Sequence, residues 1–221
     1  MFAIVPYQVD VPMSRWPITN FLLIIGIVFA HFAAVSAALN DPRAIDPFVL
    51  QGWSLTEMVG YMFLHGGLLH LFGNMLFLWT FGNAVCAKVG NLAYIPVFLA
   101  LGIAAAITHN LVDARAAVGA SGAINGIVGM YLVFYPRNNV SCLYWLVVRI
   151  GSFYLSGIWV ILLFFAFDIW GASRGGGGVA YWAHIGGFVT GVALASGLLL
   201  TRMVEMTDTE ESLLSVFGIA D

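Results

Sequence analysis

Long apolar runs separated by short polar connections dominate this chain. Six runs are long enough to cross a bilayer, since a crossing helix needs about 20 mainly apolar residues. The predicted spans cover residues 18–39, 64–87, 91–108, 116–135, 143–167 and 179–201. Only residues 40–63 and a glycine-rich stretch at 168–178 form longer connections. The pattern predicts an all-α polytopic membrane protein, folded as one bundle of six helices.

Composition supports a membrane location. The chain is 61% hydrophobic and 9% charged, whereas a soluble domain carries about 25% charged residues. A net charge of −3 without a basic block gives no reason to expect a nucleic-acid partner. We therefore expect the lipid bilayer as the surroundings of residues 18–202, with a short N-terminal segment at 1–17 and a C-terminal tail at 203–221.

Positive charges indicate the orientation, because loops on the cytoplasmic side of a cell membrane carry more Lys and Arg. With both termini in the cytoplasm, five basic residues lie inside and three outside. The inner set is Arg15, Lys88, Arg137, Arg149 and Arg202, and the outer set is Arg43, Arg115 and Arg174. The first span also resembles a signal peptide around residues 35–37, but its apolar length favours a retained helix.

Polar side chains inside the spans point to chemistry, because such groups are costly in lipid. The second span carries His65, His70 and Asn74, the fourth carries Ser121, and the sixth carries His184. His70 and Asn74 are four residues apart and therefore share a helix face. At about 1.5 Å of rise per residue, His70, Ser121 and His184 each lie roughly 7–9 Å below the outer end of their span. Three helices thus bring polar groups to one depth.

Glycines allow those helices to approach. Gly122, Gly126 and Gly129 follow a 4–3 spacing in the fourth span, and Gly187 and Gly191 do so in the sixth. Small residues at such spacing let membrane helices pack closely. They are also the ordinary material of membrane packing, so the glycines alone do not specify a function.

A serine hydroxyl becomes a nucleophile when a base takes its proton, and His184 is suited to that role. An oxyanion would be stabilised by the Ser121 backbone N–H, His70 and Asn74. No predicted span contains an aspartate or glutamate, so we expect a Ser–His dyad. Asp168, directly after the fifth span, is the alternative that would orient the imidazole.

Three motifs carry a family resemblance. "HGGLLHLFGN", "GASGAINGIVGMY" and "AHIGGFVTG" follow one another on the second, fourth and sixth spans. In this order they resemble the rhomboid intramembrane serine proteases, and the opening "VPYQVDVPMSRWPITN" is similar to that of compact six-span prokaryotic members.

The resemblance implies Ser121 as nucleophile, His184 as base, and His70 and Asn74 as oxyanion partners. Residues that support the cavity would be His65, Gly119, Gly122, Asn125 and Gly187. The family cleaves single-span membrane proteins near the outer face without a metal or cofactor, and a mobile cap would correspond to the glycine-rich loop. Asn125 stands where some members have an aromatic ring, which leaves its role open between hydrogen bonding and lining. Thr56 and Glu57 replace a Trp–Arg pair of the first external loop.

Other readings of the polar residues remain. An inactive rhomboid relative that binds client helices for quality control is the main alternative. A metalloprotease would need three ligands at fixed spacing, and the chain contains no HExxH motif. A transporter would need polar groups that continue to the inner face, where the spans offer little beyond Arg149.

His31, alone in the first span, is expected to be a buried hydrogen-bonding residue.

Overall fold

The computed structural model describes residues 2–146, 149–175 and 177–219. The elements in chain order are β1 (Phe2–Val9), α1 (Ile18–Asn40), a 3-10 helix (Pro42–Phe48), α2 (Leu55–Gly60), a 3-10 turn (Tyr61–Phe63), α3 (Leu68–Phe77), a π-helical turn (Leu78–Gly82), α4 (Asn83–Val89), α5 (Asn91–Val112), α6 (Ser121–Phe134), β2 (Asn139–Leu146), β3 (Arg149–Ser156), α7 (Gly157–Ser173), α8 (Tyr181–Leu200) and α9 (Leu213–Val216).

Apolar helices form most of the described chain, which confirms the predicted helical membrane fold. Four are long and apolar enough to cross a membrane, namely Ile18–Asn40, Leu68–Val89, Asn91–Val112 and Tyr181–Leu200. Two further apolar helices, α6 and α7, are shorter, with 14 and 17 residues. Together they correspond to the six predicted runs, although the count of six spans stays a prediction.

The centre of the bundle is α6. Every one of its residues is buried except Ser121 and Asn125. A Cβ added at Gly122 would lie 2.7 Å from the Ala105 side chain of α5, and one added at Gly187 of α8 would overlap the Gly122 carbonyl oxygen. The missing side chains therefore let α6 pack directly against both neighbours, as the glycine spacing predicts.

A buried polar network holds the π-helical turn in the second membrane helix. The side-chain amide of Asn20 donates to the Leu78 carbonyl at 3.0 Å and to Asn83 Oδ1 at 2.8 Å. Tyr94 donates its hydroxyl proton to Asn20 Oδ1 at 2.7 Å. The network ties α1, α5 and the turn together, and it satisfies groups that lipid could not.

The predicted fifth span, residues 143–167, is wrong in its first half. Strands β2 (Asn139–Leu146) and β3 (Arg149–Ser156) pair antiparallel as a hairpin, and β1 adds as a third strand on the other side of β2. Burial alternates along the hairpin, with Val140 and Cys142 fully buried while Leu143 and Tyr154 are exposed. An apolar run does not by itself distinguish strand from helix, and the expected all-α class therefore missed this sheet.

The end of the bundle away from Ser121 carries the sheet and the C-terminal tail. β1 lies beside the second membrane helix, where Thr80 donates to the Pro6 carbonyl at 3.3 Å. The tail is anchored by a buried ion pair between Lys88 and Glu210 and by Leu214 in the short helix α9. The predicted terminal segments 1–17 and 203–221 are thus folded onto the bundle where they are described; residues 1, 220 and 221 lie outside the described ranges.

Candidate active site

Ser121 occupies the first position of α6, at the end of a loop that glycine makes possible. Gly119 has φ +124°, a conformation that side chains other than glycine rarely adopt. Its N–H donates to the Tyr61 carbonyl at 2.8 Å, and the next N–H, of Ala120, makes a long 3.5 Å hydrogen bond to His65 Nε2. The loop thus presents the serine and its backbone N–H at the end of a buried helix, where partial positive charge favours an anion.

His184, the fourth residue of α8, lies directly against this serine. Its Nε2 is 2.8 Å from Ser121 Oγ. The two residues are far apart in the chain, and the contact depends on the glycine-lined packing of α8 on α6. A hydroxyl and an imidazole at this distance have the geometry of a nucleophile and its base.

Asp168 is the third group at this position, where the sequence favoured a Ser–His dyad and left Asp168 as the alternative that would orient the imidazole. Its Oδ1 lies 2.9 Å from His184 Nδ1. The sequence assigned Asp168 to a loop because the fifth span was expected to end at residue 167. Since α7 begins at Gly157 and continues to Ser173, Asp168 lies inside the helix and faces α8. The glycine-rich loop is correspondingly shorter than residues 168–178, and residue 176, within the expected mobile cap, lies outside the described ranges.

His70 and Asn74 lie across the cavity from His184. His70 Nδ1 accepts the Gly66 N–H at 3.3 Å, so the neutral imidazole carries its proton on Nε2. That nitrogen lies close to Gly119, where an added Cβ would stand 2.9 Å from it. The Asn74 amide donates to the His70 carbonyl at 2.9 Å and has a second N–H. Two side-chain donors are therefore available beside Ser121.

His65 packs under the loop that precedes α6 and supports Ala120 there. Besides its contact with Ala120, its ring meets His70 edge to face at a centroid distance of 5.3 Å and His31 at 5.7 Å. His31 is 4% exposed, and its position against His65 is a contact that the sequence could not indicate. Within the described ranges, no three His, Cys, Asp or Glu side chains cluster as a metal site would require.

These residues surround a cavity of about 1010 Å³. Polar groups line one side, and aromatic rings of α3 and α7 line another. The rings are Phe77, Phe164 and Phe167, and the polar groups include Ser121, Asn125 and His184. Asn125 directs its amide to the Ser121 carbonyl at 3.0 Å. The cavity is large enough for a peptide segment with water, which acyl transfer followed by hydrolysis would need.

Comparison with known proteins gives one family. A model of the rhomboid domain matches residues 52–201. Rhomboid protein 1, mitochondrial, of Saccharomyces cerevisiae is 27% identical over 160 residues, which cover 69% of this chain and 44% of the yeast protein. Rhomboid protease GluP of Bacillus subtilis is 32% identical over 139 residues, or 63% of this chain and 25% of that protein. Rhomboid protease GlpG of Klebsiella pneumoniae is 24% identical over 135 residues, or 61% of this chain and 45% of that protein.

The matched segments span less than half of the length of each of these relatives. The family model itself covers well over half of this chain, from the connection that follows α1 to the end of α8. The chain therefore belongs to the rhomboid family, whose members are usually intramembrane serine proteases.

Proposed function

We propose that this protein is a serine endopeptidase that cleaves transmembrane segments of single-span membrane proteins near the outer face of the cell membrane. The observation that carries the proposal is the 2.8 Å separation of Ser121 Oγ and His184 Nε2 in a cavity lined by hydrogen-bond donors. The two relatives named as rhomboid proteases, from Bacillus subtilis and Klebsiella pneumoniae, support the same class of activity.

In the proposed reaction, Ser121 Oγ attacks the carbonyl carbon of the scissile peptide bond while His184 Nε2 takes the hydroxyl proton. The oxyanion accepts hydrogen bonds from the Ser121 N–H, His70 Nε2–H and the Asn74 amide. The C–N bond then breaks, and His184 gives its proton to the leaving amine. Water in the cavity, deprotonated by His184, attacks the acyl-enzyme; the bond from the acyl carbon to Ser121 Oγ then breaks, and His184 returns the proton to Ser121 Oγ as the carboxylic acid product leaves.

The proposed orientation leaves both termini in the cytoplasm. β1 and the C-terminal tail lie at the end of the bundle opposite Ser121, together with Lys88 and Arg137. That end also holds most of the basic residues, as a cytoplasmic face does. The cavity would then open toward the outside, where a substrate helix leaves the bilayer.

The experiment is cleavage of a reporter membrane helix by the purified protein in liposomes. Wild type should cleave it, and Ser121→Ala and His184→Ala should not. A His184→Ala rate close to wild type would refute the base assignment.

The alternative is a catalytically inactive rhomboid-like protein that binds client helices. A fluorophosphonate probe separates the two functions, because it reacts with an activated serine and needs no substrate. Labelling of the wild type but not of Ser121→Ala supports the protease. Binding of the reporter helix without labelling or cleavage would favour the inactive protein.

A further inference from the structure

We infer that Asp168 is a positioning residue that holds His184 in the tautomer and orientation needed for catalysis, and that the packing of α7 on α8 sets this contact. The inference rests on the proposed function and extends it from a Ser–His pair to three groups on three helices. Among the hydrogen bonds and ion pairs of the described residues, the Asp168 carboxylate pairs with the imidazole, so it acts through His184.

The hydrogen-bonding roles of the imidazole follow from its two partners. An ionised carboxylate only accepts hydrogen bonds, so the 2.9 Å contact with Asp168 Oδ1 requires the proton of neutral His184 on Nδ1. Nε2 is then an acceptor, and the hydroxyl of Ser121 donates to it across 2.8 Å. Without the carboxylate, the imidazole could place its proton on Nε2 and lose its capacity as a base toward the serine.

Both partners are sheltered from bulk water. The side chains of His184 and Asp168 are each 13% exposed. The groups that face His184 are Ser121 from α6, Asp168 from α7, His70 from α3 across the cavity, and Tyr181 from its own helix. Asp168 is the acidic group in contact with the imidazole, so its charge can stabilise the imidazolium that forms during attack.

Contacts on either side of Asp168 fix the position of α7 along the axis of α8 and its distance from α8. One turn below, the ring of Phe165 stacks on Phe188 of α8 at a centroid distance of 4.2 Å. Phe188 follows His184 by four residues and Phe165 precedes Asp168 by three, so the ring pair and the carboxylate–imidazole pair lie on the same two helix faces. One turn above, Gly171 lies against the ring of Tyr181, and a Cβ at residue 171 would overlap that ring.

The test uses Asp168→Asn, which keeps the size of the side chain but removes the charge and can donate to Nδ1. We expect the rate of fluorophosphonate labelling and kcat for reporter cleavage to fall by about 10²–10⁴, as loss of a base-orienting aspartate does elsewhere. KM and the thermal unfolding midpoint should stay close to wild type. Asp168→Glu should recover part of the rate because the carboxylate can still reach the imidazole.

The matched control is Asp46→Asn, which removes an exposed aspartate of the first connection and should leave labelling and cleavage unchanged. Labelling and cleavage by Asp168→Asn within about threefold of wild type would overturn the inference while leaving the protease intact. A wild type that neither labels nor cleaves would overturn the proposed function and this inference together.

A double-mutant comparison tests the contribution of α7 packing. Gly171→Ala should push α7 away from Tyr181 and reduce the labelling rate of the wild type severalfold. In the Asp168→Asn background the same change should reduce the rate no further, because the carboxylate that the packing positions is already absent. Equal losses in the two backgrounds would overturn the link between helix packing and the position of His184.

Discussion

The backbone of Gly191 on α8 lies against the carbonyl group of Gly126 on α6, so closely that a methyl group at residue 191 would overlap that oxygen. This contact is two turns below the one between His184 and Ser121. The separation of the nucleophile from its base therefore depends on a glycine that takes no part in the chemistry.

Gly191→Ala should separate the two helices and destabilise the protein by about 1–3 kcal/mol, the usual cost of overpacking a core. Labelling by a fluorophosphonate should fall as Ser121 and His184 move apart. Both quantities can be followed in detergent, by thermal unfolding and by gel fluorescence.

Gly197→Ala is the matched control, since a Cβ at residue 197 of the same helix would meet no atom within 4 Å. Alanine favours helix over glycine by up to about 1 kcal/mol, so this variant should be as stable as the wild type or more so. If Gly191→Ala behaved like the control, close packing would not be what holds the dyad together.

Asn74→Ala should reduce kcat for reporter cleavage by about 10²–10³, the loss seen when one oxyanion donor is removed. KM should change little, because the donor is needed mainly when charge develops on the substrate oxygen. Steady-state cleavage at several reporter concentrations in liposomes separates the two parameters.

Asn40→Ala removes an equivalent local contact without touching the cavity. Asn40 donates to the Ser36 carbonyl at 3.0 Å, four residues earlier, just as Asn74 donates to His70. Activity should stay at the wild-type level in this control. Equal activity of Asn74→Ala and Asn40→Ala would exclude Asn74 from oxyanion stabilisation.

Glu210 should make stability depend on pH. Burial would raise the pKa of this carboxyl, but hydrogen bonds from Lys88 and from the Thr207 amide outweigh it, so the pKa lies below its ordinary value. The ionised form therefore stabilises the folded state above the ordinary pKa of about 4, and the stabilisation disappears as the pH falls through the lowered value. Thermal unfolding midpoints measured from neutral to acidic pH should show this decline in the wild type.

Glu210→Gln should lower the free energy of unfolding at neutral pH by about 1–3 kcal/mol, because the ion pair with Lys88 is buried. Its unfolding midpoint should also depend less on acid pH. Glu211→Gln is the neighbouring control, since its ion pair with Arg137 is exposed and such pairs contribute about 0–1 kcal/mol. Equal stabilities of the two variants would show that the tail is not anchored at Glu210.

The hairpin predicts alternating exposure along residues 140–143. Spin labels on single cysteines, in a chain lacking Cys86 and Cys142, should be mobile at residue 143 and immobile at residues 140 and 142. Labels at residues 22, 25 and 29 of α1, all exposed, provide a helical control with a spacing of three to four residues. A helical pattern across residues 140–143 would contradict the sheet.

Hydropathy was sufficient to predict most of the helices, because a helix that crosses lipid requires a long apolar surface. α1 was expected at residues 18–39 and runs from Ile18 to Asn40. The motifs also placed Ser121, His184, His70 and Asn74 at one depth, and the structure brings them around one cavity.

The hairpin and Asp168 show where such reasoning stops. The apolar run at residues 143–167 satisfies the length of a span, and only the pairing of β2 with β1 and β3 reveals that residues 143–146 and 149–156 within it are extended. The error displaced the fifth helix and moved Asp168 from a helix interior to a loop. The approach of Gly171 to Tyr181 likewise requires three-dimensional packing, because no local pattern relates residues on different helices.

The pairing of β1 with β2 also has a consequence for synthesis. Val9 lies opposite Val140, and Phe2 opposite Leu146, so the ribosome releases the first strand long before its partner exists. Unpaired strand groups are not tolerated in hydrocarbon. Strand β1 must therefore stay in water while the helices through α6 are inserted. The sheet at this end of the molecule consequently forms late in its biogenesis.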